Sequence, residues 1–234
     1  MTPTVPVSFA CSTGPANGLL LRTDAGHKRG LVVVQEWWGV VPHIEDVAGR
    51  FAAEGYTVLV PDLYRGASTV DAEEASHLMG SLDFGGAAAE IAGAVAHLRD
   101  QEGCTHVGIV GFCMGGALAV IAASIAPIDA FVSFYGFPPA GAANLAHITA
   151  PGLLFFGEVE DVFSVEGAQA FVAAQSARGI PTELLVYPGA GHAFFNDTRA
   201  EVYVPAAAAD AWQRTLAFFA ARLLASSSSG ALAR

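Results

Sequence analysis

The chain has 234 residues, 53% of them hydrophobic, and carries a formal charge of −11 with a single lysine, Lys28. That length and that supply of apolar side chains suit one sizeable α/β domain with a large core. The acidity argues against nucleic acid as a partner, because nucleic acid needs a basic face. No apolar run reaches the ~18 residues of a membrane-spanning helix.

The segment Met1-Thr2-Pro3-Thr4-Val5-Pro6 has no basic region followed by an apolar core, so no signal peptide is expected. Three cysteines, Cys11, Cys104 and Cys113, make an odd set without zinc-ligand spacing. With the large core, they fit a reducing cytoplasm better than a disulfide framework. Cys104 precedes a strand and reads as packing.

In chain order, residues 5–9 and 19–22 suggest an N-terminal hairpin. Strands are then expected at 31–34, 57–60, 107–110, 130–134, 152–156 and 182–186. Most are continuous apolar runs, the pattern of strands buried on both faces of a parallel sheet. Helices are expected at 44–53, 72–79, 86–99, 115–123, 165–178 and 205–224. The alternation calls for a mostly parallel, doubly wound sheet with helices on both faces, filling a single domain over 1–225. The end, 226–234, with four consecutive serines, reads as a disordered tail. Ligands of such sheets bind beyond the carboxyl ends of the strands, so the residues just after each strand deserve most weight.

After the strand at 107–110 comes Gly111-Phe112-Cys113-Met114-Gly115-Gly116, leading into a helix. This is a strand–turn–helix elbow of the form G-x-nucleophile-x-G, with cysteine at its tip. Such an elbow needs neighbours without side chains, and it aims the N–H groups of a helix start at whatever the tip residue attacks. Glu158-Val159-Glu160-Asp161 follows one late strand, and Pro188-Gly189-Ala190-Gly191-His192 follows the next. Nucleophile, acid and histidine in that order match an α/β-hydrolase. Asp161 is the preferred acid because a helix begins soon after it, with Glu158 and Glu160 competing for the same role. The strand at 31–34 runs into Gln35-Glu36-Trp37-Trp38-Gly39, where this fold supplies its second oxyanion donor. Glu36 among these aromatics is expected to be partly desolvated and able to exchange a proton with Cys113.

Taken together, Gln35-Glu36-Trp37-Trp38-Gly39, Pro61-Asp62-Leu63-Tyr64, the Cys113 elbow, Phe134-Tyr135-Gly136 and Gly189-Ala190-Gly191-His192-Ala193-Phe194 resemble the dienelactone hydrolase (carboxymethylenebutenolidase) family. The resemblance runs from about Leu31 to Leu224. It implies an α/β-hydrolase acting on a small-molecule ester or lactone without metal or organic cofactor. It implies a Cys113–His192–Asp161 triad, with Glu36 interacting with the resting thiol. It implies an oxyanion hole from the backbone N–H groups of Met114 and Trp37. Tyr64 and Tyr135 fall at positions where the family has pocket-side tyrosines, and Trp38, Phe84 and Phe194 are further candidates for contact with substrate.

One departure bears on the substrate. The family places a carboxylate-gripping arginine four residues after the histidine, where this chain has Asn196, and another in the segment that here reads Val70-Asp71-Ala72-Glu73-Glu74-Ala75. A neutral amide cannot replace a bidentate guanidinium. Arg65 and Arg199 lie nearby in sequence as substitutes, and Phe84, Phe194 and Phe195 suggest a more apolar acyl pocket. The competing readings are a non-catalytic ligand-binding protein of the same fold, a redox-active thiol protein, and a serine esterase using Ser133 or Ser164. The oligomeric state is left open.

Overall fold

A computed structural model describes residues 3–23 and 28–223 of the chain. The expected tail at 226–234, the end of the last helix at Leu224 and His27 lie outside the described residues.

The elements, in order, are β1 (Thr4–Cys11), β2 (Gly14–Leu21), β3 (Arg29–Val34), α1 (Pro42–Ala53), β4 (Thr57–Pro61), α2 (Ala72–Gly80), α3 (Phe84–Asp100), β5 (His106–Phe112), α4 (Met114–Ala123), β6 (Ala130–Phe134), β7 (Gly152–Val159), α5 (Val165–Ala177), β8 (Thr182–Gly191) and α6 (Pro205–Arg222). One eight-stranded sheet runs in the order β1-β2-β4-β3-β5-β6-β7-β8. β1 pairs antiparallel with β2, and β2 with β4; every later pairing is parallel.

The central strands behave as continuous apolar runs should. In β4 and β6 every residue is buried, and in β3 and β5 only the first is not. Gly30 of β3 faces Leu98 of α3, whereas Gly108 of β5, in register with the next residue Leu31, faces Phe219 of α6. Adjacent positions on a strand point to opposite faces, so α3 and α6 cover opposite sides of the sheet. α1 joins α6 through Phe51, whose ring centroid lies 4.5 Å from that of Trp212. α4 is buried along its whole length and packs against α3, β5 and β6.

The largest difference from the expected elements lies at the far edge. β7 and β8 both run on past the apolar stretches, through Val159 and Gly191. The Pro188–Gly191 stretch is therefore paired strand rather than free loop. The register slips on the way: Gly157 pairs with Tyr187, but Val159 pairs with Gly191, so β8 carries two extra residues. Small residues without bulky side chains accommodate that irregularity. Among the described residues, no helix is long and apolar enough to cross a membrane.

Candidate active site

Cys113 stands between β5 and α4 with φ +53° and ψ −119°. A non-glycine residue in that region is strained, and the surroundings hold it there. Its N–H donates to the Phe134 carbonyl at 3.0 Å, and its own carbonyl accepts from Gly116 at 2.9 Å. A Cβ at Gly111 would collide with the Gly115 carbonyl, and one at Gly115 with the Val34 and Gln35 carbonyls at the end of β3. The two glycines thus let β5, α4 and β3 converge on the cysteine.

The side chain is 7% exposed and faces a cavity of about 540 Å³. The cavity is almost wholly apolar, walled by Trp37, Met79, Phe84, Pro139 and Phe163, with Met114 beside Cys113. His192 and Arg199 are its polar members besides the thiol. Burial pushes the Cys113 thiol well up from its ordinary range, and the nearby Glu36 and Glu160 carboxylates push it further. Hydrogen bonds from the backbone of Met114 and Trp37 pull the other way. The two N–H groups expected to face an oxyanion therefore already converge on the sulfur. The net result is a protonated resting thiol.

The acid paired with His192 is Glu160, not Asp161. His192 Nδ1 lies 2.8 Å from Glu160 Oε1, and the Glu160 side chain is fully buried. Asp161 is exposed. The strand pairing explains the choice. Val159 and Gly191 are in register, so the next residue on each strand, Glu160 and His192, emerges side by side, and Asp161 points away. Glu160 is fixed further by the N–H groups of Val162 and Phe163, at 3.0 and 3.2 Å from the same oxygen. Glu158 serves elsewhere, accepting from Gly189 N–H at 2.9 Å. The helix that begins soon after Asp161 is capped by Ser164, whose Oγ accepts from Gly167 N–H at 2.9 Å.

Glu36 is 1% exposed. Its Oε1 accepts from Tyr135 Oη at 3.2 Å and its Oε2 from Asn196 Nδ2 at 2.8 Å. Tyr135 is fully buried, with φ +40°, and its ring meets His192 edge-on at 5.1 Å. It therefore braces both the acid and the imidazole. Asn196 is visible in the sequence only as a departure from an expected arginine; its contact with Glu36 spans 160 positions and has no local signature.

The remaining candidates divide. Phe84 and Trp37 line the cavity. Trp38 packs edge-on against Trp37 at 4.8 Å, with the Arg199 guanidinium 5.3 Å over its ring. Tyr64 stands behind Met114, donating its hydroxyl to Met114 Sδ at 3.4 Å, and faces a separate cavity. Phe194 and Phe195 turn into the core rather than the acyl pocket, Phe194 against Tyr135 and Tyr187, and Phe195 stacked on Phe112 at 5.4 Å. Arg65 pairs with buried Glu90 at 2.7 Å and is absent from the cavity wall. Ser133 is consumed inside the sheet, donating to the Gly136 carbonyl at 2.6 Å. Among the described residues, no three His, Cys, Asp or Glu side chains group as metal ligands.

Known proteins resemble this chain along most of its length. The chain is 32% identical over 200 residues to the protein usf of Aquifex pyrophilus, covering 81% of this chain and 87% of that one. It is 30% identical over 223 residues to the carboxymethylenebutenolidase of Rhodococcus opacus, covering 88% and 86%. A crystal structure from Klebsiella pneumoniae, provisionally named a dienelactone hydrolase, superposes with a TM-score of 0.79 at 28% identity, covering 93% of this chain and 99% of that one. The sequence model of the dienelactone hydrolase family matches residues 17–223, and the chain belongs to that family.

Proposed function

We propose that the protein is a cysteine-nucleophile hydrolase of activated esters or lactones, with Cys113, His192 and Glu160 as its triad. Family membership supports a hydrolase acting on such substrates. The observation that carries the finer reading is the convergence of groups on one sulfur. Cys113 sits at a strained elbow tip, bonded by the backbone of Met114 and Trp37, in the same cavity as a histidine held by a buried carboxylate.

The chemistry follows from those groups. His192 takes the thiol proton at Nε2 while Glu160 holds the proton on Nδ1 and stabilises the imidazolium. The thiolate attacks the carbonyl carbon, and the oxyanion displaces the sulfur from the N–H groups of Met114 and Trp37. Each such donor is worth ~3 kcal/mol in comparable sites. The C–O bond breaks, the leaving alcohol receives the proton from His192, and a Cys113 thioester remains. Water then loses a proton to His192 as it attacks the thioester, and the Cys113 sulfur leaves as thiolate and is reprotonated. The raised thiol makes a ready-formed thiolate scarce in the empty enzyme, so proton transfer accompanies substrate binding.

The cavity wall favours an uncharged acyl or aryl group over a carboxylate-bearing one, because Asn196 is bound to Glu36 and the facing residues are apolar. A second reading rests on Arg199, the cavity's one guanidinium, which is paired with Glu201 at 2.8 Å near the rim. Freed from Glu201, it would hold an anionic substrate. Turnover of aryl acetates and butyrates against a carboxylate-bearing lactone separates the two. Preference for the uncharged esters supports the first reading, and preference for the lactone, lost in Arg199→Ala, supports the second. Cys113→Ala is expected to abolish both activities, and retained ester turnover in that variant would reject the nucleophile.

A further inference from the structure

A second apolar cavity, of about 630 Å³, lies beside the active site, a volume that suits a small-molecule ligand. One face of α5 sets its length. Ser164 just before the helix, Gly167, Ala170 and Ala174 within it, and Arg178 just past its end recur every three or four residues, so they form one stripe. At 1.5 Å per residue the stripe runs ~20 Å. The facing wall is the segment between β6 and β7, through Pro139 and Leu145. Phe137 and Phe171, both buried, with ring centroids 5.6 Å apart, form the base of the groove.

The two ends of the groove differ. Pro139 lines both cavities, and Phe163, in the wall of the first, directly precedes Ser164 in the wall of the second, so this end adjoins the active site. The other end carries Arg178. Its Nη1 donates to Gln175 Oε1 at 2.6 Å, and Gln175 is 1% exposed, so a buried neutral group holds the guanidinium in place. Arg65 and Arg199 line cavities too, but Glu90 and Glu201 neutralise them. Arg178 has no carboxylate partner among the described residues, in a chain of formal charge −11. The groove thus offers apolar walls along its length and an uncompensated cation at its far end, the complement of an anion with an apolar tail.

We propose that the groove along α5 is a second binding site, for an aliphatic carboxylate of medium chain length. Its head meets Arg178, and its tail lies against Phe171, Phe137 and Leu145, pointing toward the active site. Ala170 and Ala174 leave the space that the tail takes. An exposed ion pair contributes little by itself, so burial of the tail supplies most of the affinity. The guanidinium fixes which way round the ligand lies and favours a charged head over a neutral one. The site goes beyond the ester hydrolysis proposed for Cys113 and does not depend on it.

Isothermal titration of the full chain with sodium octanoate, 1-octanol and sodium acetate tests the site. Octanoate is expected to bind about three- to fivefold tighter than octanol at low ionic strength, with the advantage shrinking as salt is added. Acetate, with no tail, is expected to give no measurable binding. Arg178→Gln, which keeps part of the aliphatic stem, is expected to bring octanoate down to the level of octanol. Ala174→Trp, at an exposed position of the helix, fills the groove and is expected to weaken both ligands about tenfold or more. Octanoate binding that is unchanged in Arg178→Gln overturns the proposal, because the ligand then sits elsewhere, the Cys113 cavity included. Unchanged binding in Ala174→Trp overturns it as well. If Ala174→Trp does not fold, Arg178→Gln decides alone. Cys113→Ala is expected to bind octanoate as the parent does, so its ester turnover tests the nucleophile without bearing on this site.

Discussion

Glu160→Gln and Asp161→Asn together test the catalytic constellation most sharply, because they are adjacent, equally conservative and predicted to differ by orders of magnitude. Glutamine keeps the shape of Glu160, and its oxygen can still accept from the N–H groups of Val162 and Phe163. What it removes is the charge facing His192. At the observed 2.8 Å separation, Coulomb's law with an effective dielectric constant of about 20 puts the imidazolium–carboxylate attraction at ~6 kcal/mol, a ceiling on the loss. Neutralising the acid of a comparable triad costs about 10⁴-fold in kcat. A fall of 10³- to 10⁴-fold, or about 4 to 5.5 kcal/mol, fits under that ceiling. Tyr135, edge-on to the imidazole, keeps the ring in place, so KM for p-nitrophenyl acetate should hold while kcat collapses. Asp161 is exposed, and its variant should stay within about threefold of the parent, as distant surface changes do. The reasoning is refuted if Asp161→Asn is the more damaged of the two, or if Glu160→Gln retains more than about a tenth of the parent kcat.

Two further outcomes test the fold around the site. Gly115→Ala drives a Cβ into the backbone where β3 meets α4 and is expected to destabilise by about 3 kcal/mol or more, whereas Gly49→Ala, in open space within α1, should stabilise by about 0.5–1 kcal/mol; urea midpoints measure both. Burial also pushes the Cys104 thiol up to about 11. A group whose folded value is raised favours the native state below its unfolded titration and loses that contribution as pH climbs through the folded one. Stability should therefore fall between about pH 9 and pH 11, and Cys104→Ala should make that fall shallower in urea titrations across the same range.

What the sequence discloses and what it hides follow from the range of the forces involved. The elbow is local: Gly111, Cys113 and Gly115 lie within five positions, and their steric demand writes itself into consecutive letters. The buried strands are legible for the same reason, since burial on both faces needs an unbroken apolar run such as Val32-Val33-Val34. The acid proposed for the triad is different. Glu160 and Asp161 are chemically near-equivalent neighbours, and only the register of β7 against β8 distinguishes them. That register depends on a two-residue slip at Pro188-Gly189-Ala190, which reads in one dimension as a flexible loop. The Glu36–Asn196 contact is more remote still. A buried carboxylate must find donors, and the sequence says only that it needs them. Which groups answer depends on β3, β6 and the turn after β8 meeting around one cavity. An asparagine in place of an expected arginine therefore looks like a loss when seen alone. Set against a carboxylate that it bonds and a threonine that orients it, it is a buried hydrogen-bond donor with a partner of its own.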